Sequence, residues 1–280
     1  MSLSFSVNNN SSASNILSNL SYVQNQLNTS YAQLSSGNRI NSAANDPAGY
    51  AISQQMMSQV NGLNQATQNA QNGVSLIQTA SGAMNQVESI LQTMNTLAVE
   101  ASNGTQTSSD LANLQTEFTS LQNQISSISK NTQFNGMTLL NGSYGSPSTP
   151  MTLQVGAQNN QTLAFTIATV NNTSLGIATT SISITSQASA QAAIASVQSA
   201  ITTLSGFQAS LGAIQDQLNY TISNLQNSSQ NLQNAESTIT NTNMATAYTQ
   251  FSQEQVLQQV GLAMLGQAQQ QPAAILKLLS

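Results

Sequence analysis

Two amphipathic patterns, one near each end of the chain, constrain this sequence most. Ile16, Leu20, Val23, Leu27, Tyr31 and Leu34 recur at steps of three and four, which places them on one seam of an α-helix. Towards the other end Leu204, Phe207, Leu211, Ile214, Leu218, Leu225, Leu232 and Ile239 keep a beat of about 3.5 residues. Thr221, Ser228 and Ala235 fill the weaker slots. Two matching seams so far apart in sequence predict a chain that leaves and returns along one axis.

Between them the period holds and then changes. Ser35-Ser36-Gly37 and Asn41 to Asp46 break the first helix, and Asp46-Pro47 supplies a capping carboxylate and a proline at the first helical position. From Pro47 to about Asn103 apolar residues continue at Ile52, Met56, Val60, Leu63, Ala66, Ala70, Val74, Ile77, Met84, Val87, Leu91, Met94 and Ala98. That stretch makes a rod of roughly 85 Å. Asp110 is read as the cap of a following helix carrying Leu111, Leu114, Phe118, Leu121, Ile125 and Ile128, which ends before Asn135-Gly136. Met151, Leu153 and Val155, then Leu163, Phe165 and Ile167, alternate on either side of a turn and predict a β-hairpin near 150–168. Ile182 and Ile184 suggest one more short strand, and residues 141–150 and 171–186 read as surface loops. Helix resumes near Ala188 and runs to about Thr240, Asn241-Thr242-Asn243 reads as a second hinge, and Pro272 interrupts a last helix. The fold class is mainly α, a long helical coiled-coil rod with one β-hairpin.

Composition excludes several functions. Three basic and eight acidic side chains among 280 amount to 4% charged residues, against roughly 25% in an ordinary soluble protein. Arg39, Lys130 and Lys277 cannot neutralise a phosphate backbone, so no nucleic-acid partner is expected. There is no His and no Cys, which removes the usual zinc and haem ligands, thiol nucleophiles, Ser-His-Asp triads and disulfides. No catalytic, cofactor-binding or metal residue is nominated: Glu88, Glu100, Asp110 and Glu117 fall on solvent-facing or capping positions without a pocket. Residues 1–10 lack the basic and apolar regions of a cleaved signal, and the Ala273–Leu279 run is too short to insert in a membrane.

Several separated motifs, in order, resemble bacterial flagellin. They are Leu34-Ser35-Ser36-Gly37-Asn38-Arg39-Ile40-Asn41-Ser42-Ala43-Ala44-Asn45-Asp46-Pro47-Ala48-Gly49, Thr132-Gln133-Phe134-Asn135-Gly136, Ala209-Ser210-Leu211-Gly212-Ala213, Ala235-Glu236-Ser237 and Ala263-Met264-Leu265-Gly266-Gln267-Ala268. The resemblance implies an inner coiled-coil domain from residues 1–44 and 241–280, a helical domain from 45–240, and no large outer domain. It implies a subunit of the extracellular flagellar filament, a homopolymer exported unfolded through the flagellar channel without a cleaved signal peptide. Implied partners are the filament cap and hook-junction proteins and a cytosolic export chaperone at the C-terminal helices. The hook-filament junction protein is a relative with similar ends, and a secreted coiled-coil adhesin or translocator is a reading from another class.

Within that frame Leu20, Val23, Leu27, Leu34, Val256, Val260 and Met264 are expected to form the polymerisation seam, and Arg39, Asp46, Asn241 and Asn243 the hinge. A segment read by an innate Toll-like receptor resembles Leu91 to Glu100, including Leu91, Gln92, Thr93 and Leu97, and Glu117 stands at the position of another contact residue. Thr93 and Asn95 stand where such flagellins carry arginine, so recognition is expected to be weak. Thr238, Thr240, Asn241, Asn243 and Gln253 likewise replace ions common in the family. Asn for Asp keeps shape and hydrogen bonding while removing a titrating group, so a filament built this way is expected to change little as pH falls. Ser/Thr-rich stretches at Ser143 to Thr149 and Thr173 to Ser183 are the exposed candidates for glycosylation.

Overall fold

The structure, a computed structural model, describes residues 10–179 and 182–279, with side chains described through residue 270. Residues 1–9 and the side chains of the Ala273–Leu279 run, including Lys277, lie outside the described part. Five helices carry the chain: α1 (Ser11–Ser36), α2 (Pro47–Ala101), α3 (Ser108–Asn131), α4 (Gln187–Thr240) and α5 (Met244–Leu279). Two short antiparallel strand pairs join them, β1 (Gln133–Phe134) with β2 (Met137–Thr138) and β3 (Met151–Gln154) with β4 (Thr162–Phe165). Contacts divide the chain into two units, one holding the residues up to Ser58 and from Asn231 onward, the other Gln59–Gln230.

Side-chain oxygens start most of these helices. Asp46 Oδ1 accepts from the Gly49 N–H at 2.9 Å, and Asn243 Oδ1 accepts from the Ala245 N–H at 3.1 Å. At α3 the expected cap is displaced by one turn. Thr107 is the N-cap, and Asp110, three residues on, returns the bond to the Thr107 N–H at 3.0 Å to complete a capping box. The same carboxylate accepts from the Thr107 hydroxyl at 2.6 Å.

In the Gln59–Gln230 unit, α2, α3 and α4 enclose one apolar core. Ile77, Met84, Leu91 and Met94 of α2 meet Phe118 and Ile125 of α3 and Leu204, Leu211 and Leu218 of α4, all essentially without solvent contact. The predicted hairpin is present as β3 and β4. Its register pairs Met151 with Phe165 and Leu153 with Leu163, so Met151 and Phe165 turn inward while Thr152 and Ala164 face out. The hairpin lies close on α2: a Cβ at Gly73 would sit 2.3 Å from Leu153 Cδ1.

Helix α3 ends before Asn135-Gly136 as expected, while two other expectations about the connections, at Ile182/Ile184 and at 171–186, fail for identifiable reasons. Asn135-Gly136 does more than end a helix. Both residues have positive φ, 48° and 78°, and form the two-residue turn of the β1–β2 hairpin. Ile182 and Ile184 are buried but enter no strand: Ile184 gives its N–H to Gln115 Oε1 at 2.6 Å and Ile182 to the Ala178 carbonyl at 3.1 Å, so neither donates to a ladder. The 171–186 segment is accordingly no plain surface loop, because Leu175, Ile177, Ile182 and Ile184 seal the core.

In the other unit α1 and α5 pack together. They run antiparallel, since Gln258 contacts Gln24, Gly261 meets Leu20, and Ala268 meets Asn10. Ile16, Leu20, Val23, Leu27 and Leu34 are half-buried on the predicted seam of α1, but Tyr31 is 65% exposed. Ser30, buried, takes the slot between Leu27 and Leu34: steps of three then four reach it, where steps of four then three would have reached Tyr31. Ile52 near the start of α2 is likewise exposed, with Ser53 turned inward in its place.

Pro272 does not interrupt α5, which runs through it to Leu279. A helical proline leaves the carbonyl four residues earlier, Ala268, without an N–H donor. Asn10 supplies one: its Nδ2 donates to the Ala268 carbonyl at 2.8 Å while its Oδ1 accepts from the Ala13 N–H at 3.0 Å as the cap of α1. One side chain thus starts α1 and satisfies the backbone group that proline orphans in α5.

Candidate functional site

The chemistry-bearing features gather where the chain leaves α1 and where it returns from α4. After Gly37, whose φ of 73° and N–H bond to the Gln33 carbonyl close α1, Asn38 pairs with Asn241 in a single antiparallel bridge. The Arg39 N–H donates to the Thr240 carbonyl at 2.6 Å and the Thr242 N–H to the Gly37 carbonyl at 2.9 Å. The Arg39 guanidinium donates to the Ile239 carbonyl at 2.7 Å. A cation therefore meets the C-terminal end of α4, where the helix dipole concentrates partial negative charge. Gln33 and Asn41 side chains fasten the same strand to α1 by donating to the Arg39 and Ala32 carbonyls, each at 3.0 Å. Asn45 Oδ1 gathers the Asn41 and Ser42 amides, and the Asn241 side chain donates to Ser237 Oγ. The four hinge residues are thus tied down: Arg39 and Asn241 bind the two connectors together, and Asp46 and Asn243 cap the helices that follow.

The seven seam residues separate into two groups. Leu20, Val23, Leu27 and Leu34 are half-buried on the α1 side of the helix pair. Val256, Val260 and Met264 are exposed by 57%, 52% and 55%, and Leu257 and Leu262 equally so. Through residue 270, the positions of α5 withdrawn from solvent are instead Ala247, Phe251, Ser252, Glu254, Gln258, Gly261, Leu265 and Ala268. Apart from Ser252 their spacing alternates four and three, so the signal is present in the sequence, but apolar periodicity overlooks it because Glu, Gln and Gly occupy three of those seven slots. Gly261 admits α1 closely, since a Cβ there would lie 3.2 Å from Leu20 Cδ1. Glu254 is only 7% exposed, and its Oε2 has no hydrogen-bond partner among the described residues.

Of the receptor-like residues, Leu91 and Leu97 are buried in the core, while Gln92, Thr93 and Glu117 face solvent. The remaining carboxylates build no catalytic arrangement among the described residues. Glu88 accepts from Gln208 at 3.1 Å, Asp110 serves its capping box, and no group of three or more Asp or Glu converges. Asp110 is the acid whose pKa is visibly displaced, held below the usual carboxylate value by the Thr107 hydroxyl first and the Thr107 amide second. Among the described residues no helix is long and apolar enough to cross a membrane.

Fold and site together define a long-helix protein that ties its first and last described helices into one pair and leaves an apolar face of that pair uncovered among the described residues. Comparison with known families gives the class its name. The bacterial flagellin N-terminal helical region matches residues 7–145 and the bacterial flagellin C-terminal helical region residues 194–279, so the chain belongs to the bacterial flagellin family. It is 42% identical over 161 residues to flagellin 1 of Proteus mirabilis, a match covering 58% of this chain and 43% of that one. It is also 42% identical over 173 residues to a flagellin of Clostridium tyrobutyricum, covering 60% and 46% respectively. The matches thus span less than half the length of these relatives. A solved structure of a protein from Vibrio parahaemolyticus described as flagellar hook-associated shares the fold, with a TM-score of 0.58 over 70% of this chain and 99% of that one at 13% identity.

Proposed function

We propose that this chain is a structural subunit that polymerises with copies of itself into an extracellular flagellar filament. The observation that carries this reading is the α1–α5 pair. One side of α5 is covered by α1, while the side bearing Val256, Leu257, Val260 and Met264 is more than half exposed and has no partner among the described residues. Exposed apolar patches of this kind mark association surfaces. A surface that meets a different surface on the next copy propagates as an open helix instead of closing. Leu20, Val23, Leu27 and Leu34 hold the pair together, and Val256, Val260 and Met264 receive the neighbour. Arg39, Asp46, Asn241 and Asn243 fix how the connectors enter and leave it.

The finer parts of the reading come from family membership: residues 1–44 and 241–280 are the assembly domain, and 45–240 the body. Cap and hook-junction proteins are the partners at the filament's ends, a cytosolic chaperone covers α5 before export, and no cofactor takes part. Toll-like receptor recognition is weak, because Thr93 and Asn95 replace cations and Leu91 and Leu97 lie in the core. The test is elongation of short filament seeds by the purified chain, followed by electron microscopy, with Val256→Asp and Val260→Asp as variants. The reading requires wild-type growth and loss of growth in both variants while the 59–230 unit keeps its melting behaviour. Equal growth in wild type and variants would refute the assigned seam.

A further inference from the structure

Five Asn-Gly pairs occur in this charge-poor chain, and the structure treats them very differently. Asn61-Gly62 and Asn72-Gly73 lie inside α2, where the glycine N–H is held in the helical ladder. Asn135-Gly136 is the turn of the β1–β2 hairpin, fixed by the pairing of Phe134 with Met137. Asn103-Gly104 lies in the exposed connection between α2 and α3, and among the described residues no bond to the Asn103 side chain is seen. Asn141-Gly142 combines three features. Asn141 is exposed, Gly142 has a φ of 99° and no Cβ to crowd its nitrogen, and Asn141 Oδ1 accepts from the Ser143 N–H at 2.9 Å.

We infer that Asn141 is a self-modification site at which the chain converts its own amide to a carboxylate. The Ser143 N–H fixes the side-chain carbonyl within the turn and stabilises negative charge developing on Oδ1, as a backbone donor does in an oxyanion hole. The Gly142 nitrogen gives its proton to solvent base and attacks Cγ. A nitrogen–carbon bond forms, the Cγ–Nδ2 bond breaks, and ammonia leaves with a proton from solvent, producing a five-membered imide. Water then adds to either imide carbonyl, leaving aspartate or isoaspartate at position 141. No redox partner is needed. Each event makes the net charge of −5 more negative by one. Because the attacking nitrogen must lose its proton, the reaction slows as pH falls, so a neutral medium ages this loop and a mildly acidic one preserves it.

Peptide mapping by mass spectrometry, on the full-length chain incubated in neutral and in mildly acidic buffer, tests the inference. Position 141 should gain the mass of one deamidation first, ahead of position 103 and well ahead of 61, 72 and 135, with both product linkages present and the rate lower in acid. The native chain should react at position 141 faster than the same chain in denaturant, by about two- to tenfold, the factor one hydrogen bond can supply. Gly142→Ala, which crowds the nitrogen, should slow it further. Should that variant disturb the loop, the native-to-denatured ratio of the unaltered chain still decides the matter. A native rate equal to or below the denatured rate, or faster reaction at 103, would overturn the assignment.

Discussion

Replacing Arg39 with alanine tests whether the junction between the α1 and α4 connectors is held by the Arg39 guanidinium. The substitution removes the guanidinium donation to the Ile239 carbonyl, at 2.7 Å, and the positive charge at the end of α4. It leaves the backbone bonds from Arg39 N–H to Thr240 and from Thr242 N–H to Gly37 in place. A hydrogen bond to a charged group contributes about 1.5–3 kcal/mol when well buried, and the helix-end charge about 0.3–1 kcal/mol. Arg39 is exposed, so water replaces much of the lost donor and the expected loss is about 1 kcal/mol. That corresponds to roughly a fivefold larger open population. Native-state hydrogen exchange reads it directly: the position-39 and Thr242 amides should exchange about fivefold faster, while amides around Ile77 and Leu204 in the other unit keep their rates. Arg39→Lys, which keeps the charge but loses the planar donor fork, should fall between the two. Unchanged exchange at Thr242 in the alanine variant would show that the backbone bridge alone holds the junction.

Other outcomes follow from single groups. Asn10→Ala should destabilise the α1–α5 pair by about 1–3 kcal/mol, the sum of a lost cap and an orphaned Ala268 carbonyl. In a Pro272→Ala background, where position 272 regains its N–H, the same change should cost only the cap, so a thermal or denaturant double-mutant cycle should give a coupling of about 1 kcal/mol. Glu254→Gln should raise the midpoint of α1–α5 unfolding, followed by circular dichroism, since it removes a buried charge with an unpartnered oxygen; a lowered midpoint would show that the charge is stabilising where it sits. Asp110 binds its proton more weakly in the folded chain than its ordinary value of 3.8. Its capping contribution is therefore complete above that value and disappears as pH falls through the lower folded value. Amide shifts of Thr107 and Asp110, titrated by NMR, should move in that acidic window, and Asp110→Asn should abolish the movement.

Much of the fold was legible because α2, α3 and α4 bury ordinary apolar seams, and alternation marked the β3–β4 hairpin. What escaped did so for local physical reasons. The inner face of α5 interleaves Glu254, Gln258 and Gly261 with Ala247, Phe251, Leu265 and Ala268, so polar and small residues interrupt its apolar period and the visible apolar stripe at Val256 and Val260 lies on the outside. Pro272 read as a break because its compensating donor, Asn10, is 262 positions away in sequence. Ile182 and Ile184 alternate like a strand, yet Gln115 intercepts the Ile184 amide before any strand can pair with it. Asn135-Gly136 carried an available hairpin signal that was absorbed by the end of α3. Of the hinge residues, Asp46 followed from its place before proline, whereas the grip of Arg39 on the last turn of α4 depends on the returning chain.

The account rests on the uncovered face of α5 being where the next copy binds. Cryo-electron microscopy of filaments grown from seeds by the purified chain tests this most directly. The account predicts a helical polymer in which Val256, Val260 and Met264 are buried against a neighbouring subunit and Asn10 still bonds Ala268 within its own chain. A polymer that leaves those three residues in solvent, or a chain that stays monomeric on every seed, would contradict it.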